Sequence, residues 1–582
     1  MILYDYLVPQ AATDQRKRTE QHSNVIHAER GDTMKRDFSF VLIFILLLAW
    51  PSSLGHSQER SGKYIIYYGG EESGMESYSV SESEGKFKLS DRSEFTAGGQ
   101  AFSVDLNLWM DSSYRALNLN LNGRSMGNDF QVTARFEEGK AINFISGIAD
   151  TTTQIPVHED ALIMPNGLFL PYSYLAERYD FQKGGKQEFF AFVVPQVEII
   201  IQVEDKGDER VDFEIGAVEL KRLLVSLGGM LGVNVWVNAD GQIVKLNIPV
   251  QGIEVFREGY KPAPAKVETD APPGLYSPED ITFQSGHLEL AGTVTVPRNG
   301  QKPHPAVIII SGSGPQDRNG VTPELKFSVQ YKALANALSN SGILVLRYDE
   351  RGVGESQGVF RTATFTDFIS DVKAGISYLK ARSEVDKSRV CLVGHSEGAI
   401  IAPKISSEDT TIKAIVLMAG PAKPLDQVIM EQQGYVLDKL NTPEEMKRQA
   451  MDQQKDFFAW VKGEKQWDQE KLQQLGPLVD QKHWFLEHFQ HDPLQTIKRV
   501  KCKILILQGA KDRQVFQEHA KLLNQALDES GNQKHILKIF PDLDHLFCKT
   551  EGEGDYAAYA DTERPLDQQF LDFLVDWLKK EL

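Results

Sequence analysis

Three segments of this chain repeat a Gly-x-Ser-x-Gly spacing, Gly123–Gly127, Gly354–Gly358 and Gly394–Gly398, and a serine in that setting can act as an acyl-transfer nucleophile only on a sharp strand-to-helix turn. Ser396 alone has that context. Arg389-Val390-Cys391-Leu392-Val393 reads as a buried strand before it and Ala399-Ile400-Ile401-Ala402 opens a helix after it, whereas Ser125 and Ser356 read as Gly/Ser turns. A serine hydroxyl needs a histidine to take its proton and an acid to orient that histidine. Lys503–Leu507 runs into Gln508-Gly509-Ala510-Lys511-Asp512, and His535–Phe540 into Pro541-Asp542-Leu543-Asp544-His545, so Asp512 and His545 lie just past successive strands. Asp542, Asp544 and Asp426 compete for the acid's place. His395, inside the turn, is expected to pack locally. A tetrahedral intermediate needs two preorganised N–H donors. The backbone of Glu397 is one candidate; the other is Ser313, with Gly312 as the near alternative, in the turn Ser311-Gly312-Ser313-Gly314-Pro315.

The elements that must hold these residues have two textures. From residue 58 to 260 the sequence alternates with period two, as in Val104-Asp105-Leu106-Asn107-Leu108, and Asp240-Gly241 between apolar runs marks a hairpin. A separate β-rich accessory domain is expected there, with Glu71 and Glu72 on solvated faces. Residues 261–278 form a Pro-rich linker with five of the chain's 25 prolines. From 279 to 582, Val/Ile/Leu-rich runs at Ala306–Ile310, Ile343–Leu346, Val390–Val393, Ala414–Met418, Ile504–Leu507 and Ile536–Ile539 alternate with helical patterns, which implies an α/β fold around a mostly parallel sheet. About 80 residues between Gly420 and Val500 interrupt this alternation with helical spacing, an insertion long enough to carry its own structure and to serve as a helical lid over residues 421–500.

The C-terminal half resembles the α/β-hydrolase superfamily, in particular its bacterial esterase and serine-aminopeptidase-like branch related to dienelactone hydrolases. The resemblance rests on Ser311–Arg318 (SGSGPQDR), Arg347–Ser356 (RYDERGVGES) and Gly394–Gly398, with Asp512 and His545 following in order. It implies a lid after the strand ending near Met418 and an architectural pair of Asp349 with Arg351. Ser311 departs from the pattern, since many relatives carry His before the glycine.

The expected activity is hydrolysis of carboxylic esters or other small acylated molecules through an acyl-enzyme, without a cofactor or metal. A peptidase or amidase of the same fold, or a non-catalytic envelope protein that binds through its β-rich domain, are the alternatives. Phe457, Phe458, Trp460, Trp467, Trp484 and Phe485 in the insertion chiefly glue the lid to the body, and the His483, Glu487, His488 and His491 spacing reads as a solvated helix face rather than a metal site. The net charge of −18 opposes binding to nucleic acid. Three widely spaced cysteines suggest neither a disulfide framework nor zinc.

Residues 1–57 read as an N-terminal extension and signal peptide. Lys35-Arg36 precedes the apolar run Phe38–Trp50, and the pattern begins at Met34, the expected start. Thirteen residues span only about 20 Å, short of the roughly 30 Å hydrocarbon core. Export to a periplasmic or extracellular location follows, with only transient membrane contact.

Overall fold

The computed structural model describes residues 61–125, 128–147, 150–263, 275–322, 327–440 and 442–582. The signal segment, Met34 and most of the linker lie outside them.

Between Ser61 and Arg257 fifteen strands form one sheet, antiparallel except where Leu162–Pro165 pairs with Lys186–Val194. The sheet meanders outward from the pair Ser61–Tyr68 and Ile253–Arg257 in both directions. The alternation read from sequence is realised: Val104, Leu106 and Leu108 are buried while Ser103, Asp105 and Asn107 point to the other face. The hairpin turn forms at Asn238–Gln242, where Gly241 has φ +76° and the Asn238 side chain accepts the N–H groups of Asp240 and Gln242.

The sheet curls until its two arms share a core. Phe136 meets Phe192 edge to face at 6.0 Å, and Asn143 donates to the Pro195 carbonyl. The short helix Pro171–Arg178 sits in that core on Leu175 and Ala176. The Glu76 carboxylate, fully buried, accepts the N–H groups of Phe169 and Leu170 at the helix start (2.7 and 2.8 Å). Burial pushes its pKa up to about 7, and burial likewise raises the neighbouring Asp91.

In the second half, the sheet strands are β1 (Tyr276–Ser285), β2 (Leu288–Pro297), β3 (His304–Ile310), β4 (Leu344–Tyr348), β5 (Val385–His395), β6 (Ala414–Met418), β7 (Lys503–Gly509) and β8 (His535–Phe540). Their spatial order is β1-β2-β4-β3-β5-β6-β7-β8. β1 and β2 form an antiparallel hairpin on one edge, and β3 to β8 run parallel. That edge hairpin was not singled out in the sequence, where Glu289, Thr293 and Thr295 interrupt the apolar residues of β2 and no helix precedes it.

The helices are α1 (Tyr331–Asn340), α2 (Phe365–Ala381) and α3 (Gly398–Ser406), then α4 (Leu425–Lys439), α5 (Glu444–Val461), α6 (Gln469–Leu475), α7 (Lys482–Gln490) and α8 (Pro493–Ile497), then α9 (Gln517–Glu529) and α10 (Gln568–Glu581). Successive strand residues feed opposite cores, as a sheet covered on both faces requires. Ile308, Leu392, Ile415 and Ile504 pack with α2, α3 and α9; Val307, Cys391, Val416 and Leu505 pack with α1 and α10.

α4 to α8 fill the interval between β6 and β7. Their aromatic residues pack mainly on one another: Trp460 stacks on Trp467 at 5.4 Å and Phe457 meets Phe485 edge to face at 5.2 Å. Asp349 and Arg351 do not pair with each other, contrary to expectation. Arg318 grips Asp349 through Nε and Nη2 (3.0 and 2.6 Å), and Arg351 grips Asp371 through the same two atoms (2.7 Å each). The reason is the turn at Gly352 and Gly354, both at positive φ, which folds so tightly over Asp349 that a Cβ at Gly354 would lie 2.6 Å from Asp349 Oδ2.

Candidate active site

β5 ends at His395 and α3 begins at Gly398, leaving Ser396 on the turn between them with φ +54°, a left-handed backbone that non-glycine residues rarely adopt. Both flanking glycines are sterically required. A Cβ at Gly394 would lie 2.0 Å from the Gly398 carbonyl oxygen, and one at Gly398 would lie 2.3 Å from that of Ile310. The turn is pinned to the sheet by the Ser396 N–H, which donates to Met418 O at 2.9 Å. Ser396 remains partly exposed and its hydroxyl has no hydrogen-bond partner among the described residues.

Of the four acids weighed, only Asp512 reaches the histidine: its Oδ2 lies 2.8 Å from His545 Nδ1. The other carboxylate oxygen accepts the N–H groups of Gln514 and Val515, and Gln508 Nε2 donates to Oδ2, so the carboxylate is fully oriented. Asp544 is taken up by Arg564 and by the backbone of Leu546 and Cys548; Asp542 faces Lys511, and Asp426 faces Lys462. A carboxylate on Nδ1 fixes the tautomer that leaves Nε2 free to accept a proton.

The loop Ser311–Gln316 lies directly against the serine, since a Cβ at Gly312 would be 3.1 Å from Ser396 Cβ. Two contacts hold it. The buried Glu350 carboxylate accepts the Ser311 hydroxyl (2.5 Å) and the Gln316 N–H (3.0 Å), while burial raises its pKa well above the ordinary range. Ser311, which departs from the pattern of many relatives, therefore serves as the anchor of the loop. The second contact engages the Gly312 N–H, which donates to Tyr331 Oη at 3.1 Å and so is not available to a ligand. Ser313 N–H and Glu397 N–H donate to no acceptor among the described residues.

Tyr331 and His395 extend this contact toward His545. Burial lowers the His395 pKa to about 3, so the ring is neutral. Its Nε2 lies 2.9 Å from the His545 carbonyl, which can only accept, so Nε2 carries the proton and Nδ1 accepts the Tyr331 hydroxyl at 3.3 Å. A single chain thus runs from Gly312 N–H through Tyr331 and His395 to the backbone of His545. His395 does more than pack locally. Neither Tyr331 nor Glu350 was singled out in the sequence; only the motif around Glu350 hinted that its segment was architectural.

Glu397 also has a side-chain role. Its buried carboxylate accepts Trp484 Nε1 (2.9 Å) and pairs with His488 Nε2 (2.7 Å), both from α7 of the insertion. Glu487 instead accepts the N–H and hydroxyl of Thr366 near the start of α2, and His491 packs on Phe365. His488 also packs on Phe365, at 4.4 Å between ring centroids, and His483 is exposed. Ser356 is architectural: its hydroxyl donates to Asp349 O and accepts Ala291 N–H. Ser125 ends its strand, far along the β-rich sheet. The three cysteines are free thiols, and burial holds Cys502 and Cys548 up near 11 and 12, well away from thiolate chemistry at neutral pH.

A parallel sheet with an antiparallel hairpin edge, a strained strand-to-helix turn bearing the serine, and an acid and a histidine past β7 and β8 define an α/β-hydrolase. Residues 326–551 match the family described as serine aminopeptidase, S33, and the C-terminal half is a hydrolase domain of this type. The chain is 29% identical over 317 residues to esterase EstD of Thermotoga maritima, which covers 53% of this chain and 69% of EstD. It is also 32% identical over 110 residues to the thiohydrolase ApmlB of Arthrinium phaeospermum, covering 18% of this chain and 35% of that one. Among solved structures it is similar to the Pyrococcus furiosus esterase Pf2001, at 19% identity and a TM-score of 0.36, covering 55% of this chain and 97% of that one. The assignment rests on the family match and the similarity to EstD.

Proposed function

We propose that this chain is an exported serine hydrolase that cleaves carboxylic esters of small molecules. One observation carries the reading: a free serine hydroxyl on a left-handed turn shares a site with a histidine whose Nδ1 is bound to a fully oriented carboxylate. In this reading His545 Nε2 takes the Ser396 proton as Oγ attacks the ester carbonyl. The N–H groups of Ser313 and Glu397 hold the oxyanion, and the protonated His545 returns its proton to the leaving alcohol. Water activated by His545 then releases the acid.

The helices α4 to α8 act here as the lid, tied to the residue after the nucleophile through Trp484 and His488. Esters are favoured by the similarity to EstD, a named esterase. The family description names aminopeptidases, which keeps amide bonds as the second reading. Export is supported by the segment from Met34 to residue 57.

Hydrolysis of p-nitrophenyl acetate and butyrate, with Ser396→Ala beside the wild type, is the direct test. The variant is expected to lose about 10^5- to 10^6-fold in kcat; equal rates would sink the reading. A fluorophosphonate should label Ser396 and no other residue. Aminoacyl amides assayed in parallel separate the two substrate classes.

A further inference from the structure

The β-rich half has no assigned role, yet its hydrogen bonds and ion pairs to the hydrolase half fall on the connection from His545 to α10, beside van der Waals contacts of Gly228 and Gly229 with Leu440 and Lys439 and of Gln100 with Gly476. We propose that the β-rich sheet is a positioning element of the active site, clamping this connection and through it the turn that carries Asp512. The proposal rests on the assignment of Ser396, His545 and Asp512 given above.

One side of the connection faces the Asp512 turn. The Tyr556 hydroxyl donates to Arg513 O at 2.6 Å, and Lys511 Nζ donates to Thr550 O at 2.6 Å. Gly554 is so close that a Cβ there would lie 2.2 Å from Lys511 O. The same stretch therefore touches the residues on both sides of Asp512 as well as following His545.

Its other side faces the strands Gly216–Leu227 and Leu231–Val237 of the β-rich sheet and the turn between them. Asn234 Nδ2 donates to Ala560 O at 2.8 Å in a buried contact, and Ala557 N–H donates to Gly229 O at 3.2 Å. Asp561, 7% exposed, pairs with Arg222 at 3.2 Å and Lys206 at 3.4 Å. Lys186 reaches Glu551 at 2.8 Å. The fit is closest at Gly232, where a Cβ would lie 2.1 Å from Ala557 O and 2.5 Å from Ala560 Cβ.

Two surfaces so placed leave the connection little freedom. A general base and its orienting acid on separate loops lose rate steeply when their relative position slips, so a surface that grips the connection between them acts on kcat rather than on substrate binding. A merely adhesive contact between two domains would change stability without that signature.

The test uses the full-length protein. Gly232→Ala inserts a methyl group into the closest contact, and Arg222→Met leaves Asp561 with Lys206 alone. Both are expected to lower kcat on p-nitrophenyl butyrate about 10- to 100-fold with KM within about twofold. Both should also weaken the low-field proton resonance of the His545–Asp512 hydrogen bond. Arg222→Lys is expected to restore most of the rate, and Arg124→Met, on a distant part of the sheet, to leave it unchanged. If Gly232→Ala fails to fold, the Arg222 pair decides. Unchanged kcat and an unchanged proton resonance in folded Gly232→Ala or Arg222→Met, even with a lowered melting temperature, would overturn the proposal. Failure of the underlying assignment looks different: wild-type protein would then not be labelled at Ser396 by a fluorophosphonate.

Discussion

Both halves bury titratable side chains, but they use them differently. In the β-rich half Glu76 and Asp91 lie inside a continuous apolar core, where Glu76 is spent on the start of a helix and Asp91 on Glu76 itself. In the hydrolase half Glu350, Glu397, His395, Asp512 and His545 are equally buried and equally partnered, but all stand around one partly exposed serine at the ends of parallel strands. Burial and a displaced pKa alone therefore do not mark chemistry. Convergence on an unbonded hydroxyl and unbonded N–H groups does, and open parallel sheets concentrate such groups beyond the carboxyl ends of their strands.

This contrast can be broken experimentally. After loss of the serine itself, the largest effect is expected from Asp512→Asn, which keeps the shape but presents the wrong hydrogen-bond pattern to His545. It should lower kcat about a thousand- to ten-thousandfold in steady-state ester hydrolysis. Tyr331→Phe cuts the chain between the loop and His395 and leaves two buried groups unpaired. At about 1–3 kcal/mol this corresponds to about a 5- to 150-fold loss, expected in kcat rather than KM. His488→Gln leaves Glu397 a neutral donor in place of the imidazole; about a threefold to tenfold fall in kcat is expected, with faster proteolysis within α4–α8.

The smallest catalytic effect, none, is expected from Glu76→Gln in the other half. Glu76 has its folded pKa raised to about 7 from an ordinary 4.5, so the folded state holds a proton that the unfolded state releases. Its stabilising contribution is present below about pH 4.5 and is lost as pH rises through about 7. Melting temperatures across that window should fall less steeply for the variant. A change in kcat instead would erase the distinction between the two halves.

Much of the candidate site could be read from linear spacing, because its parts lie where chain direction changes. The Gly394–Gly398 pattern follows from the close approach of α3 to β3 and β5, and glycine is the only residue that permits it. Asp512 and His545 come just past strand ends that the apolar runs already marked. The support around them was not legible. Tyr331 lies on the first turn of α1 and looks like any core aromatic, and Glu350 is one acid among 81 acidic residues. The Gly232 contact joins residues more than 300 positions apart, and no periodicity encodes such a meeting.

By itself the sequence determined the two textures, the parallel strands and the serine turn, because these depend on side-chain period and local steric limits along a short stretch of chain. Tertiary structure alone decided which acid faces His545, which N–H groups stay unbonded, and which surface grips the connection after His545. Those outcomes depend on how desolvated polar groups from distant segments satisfy one another, and only the packed molecule brings the competitors together.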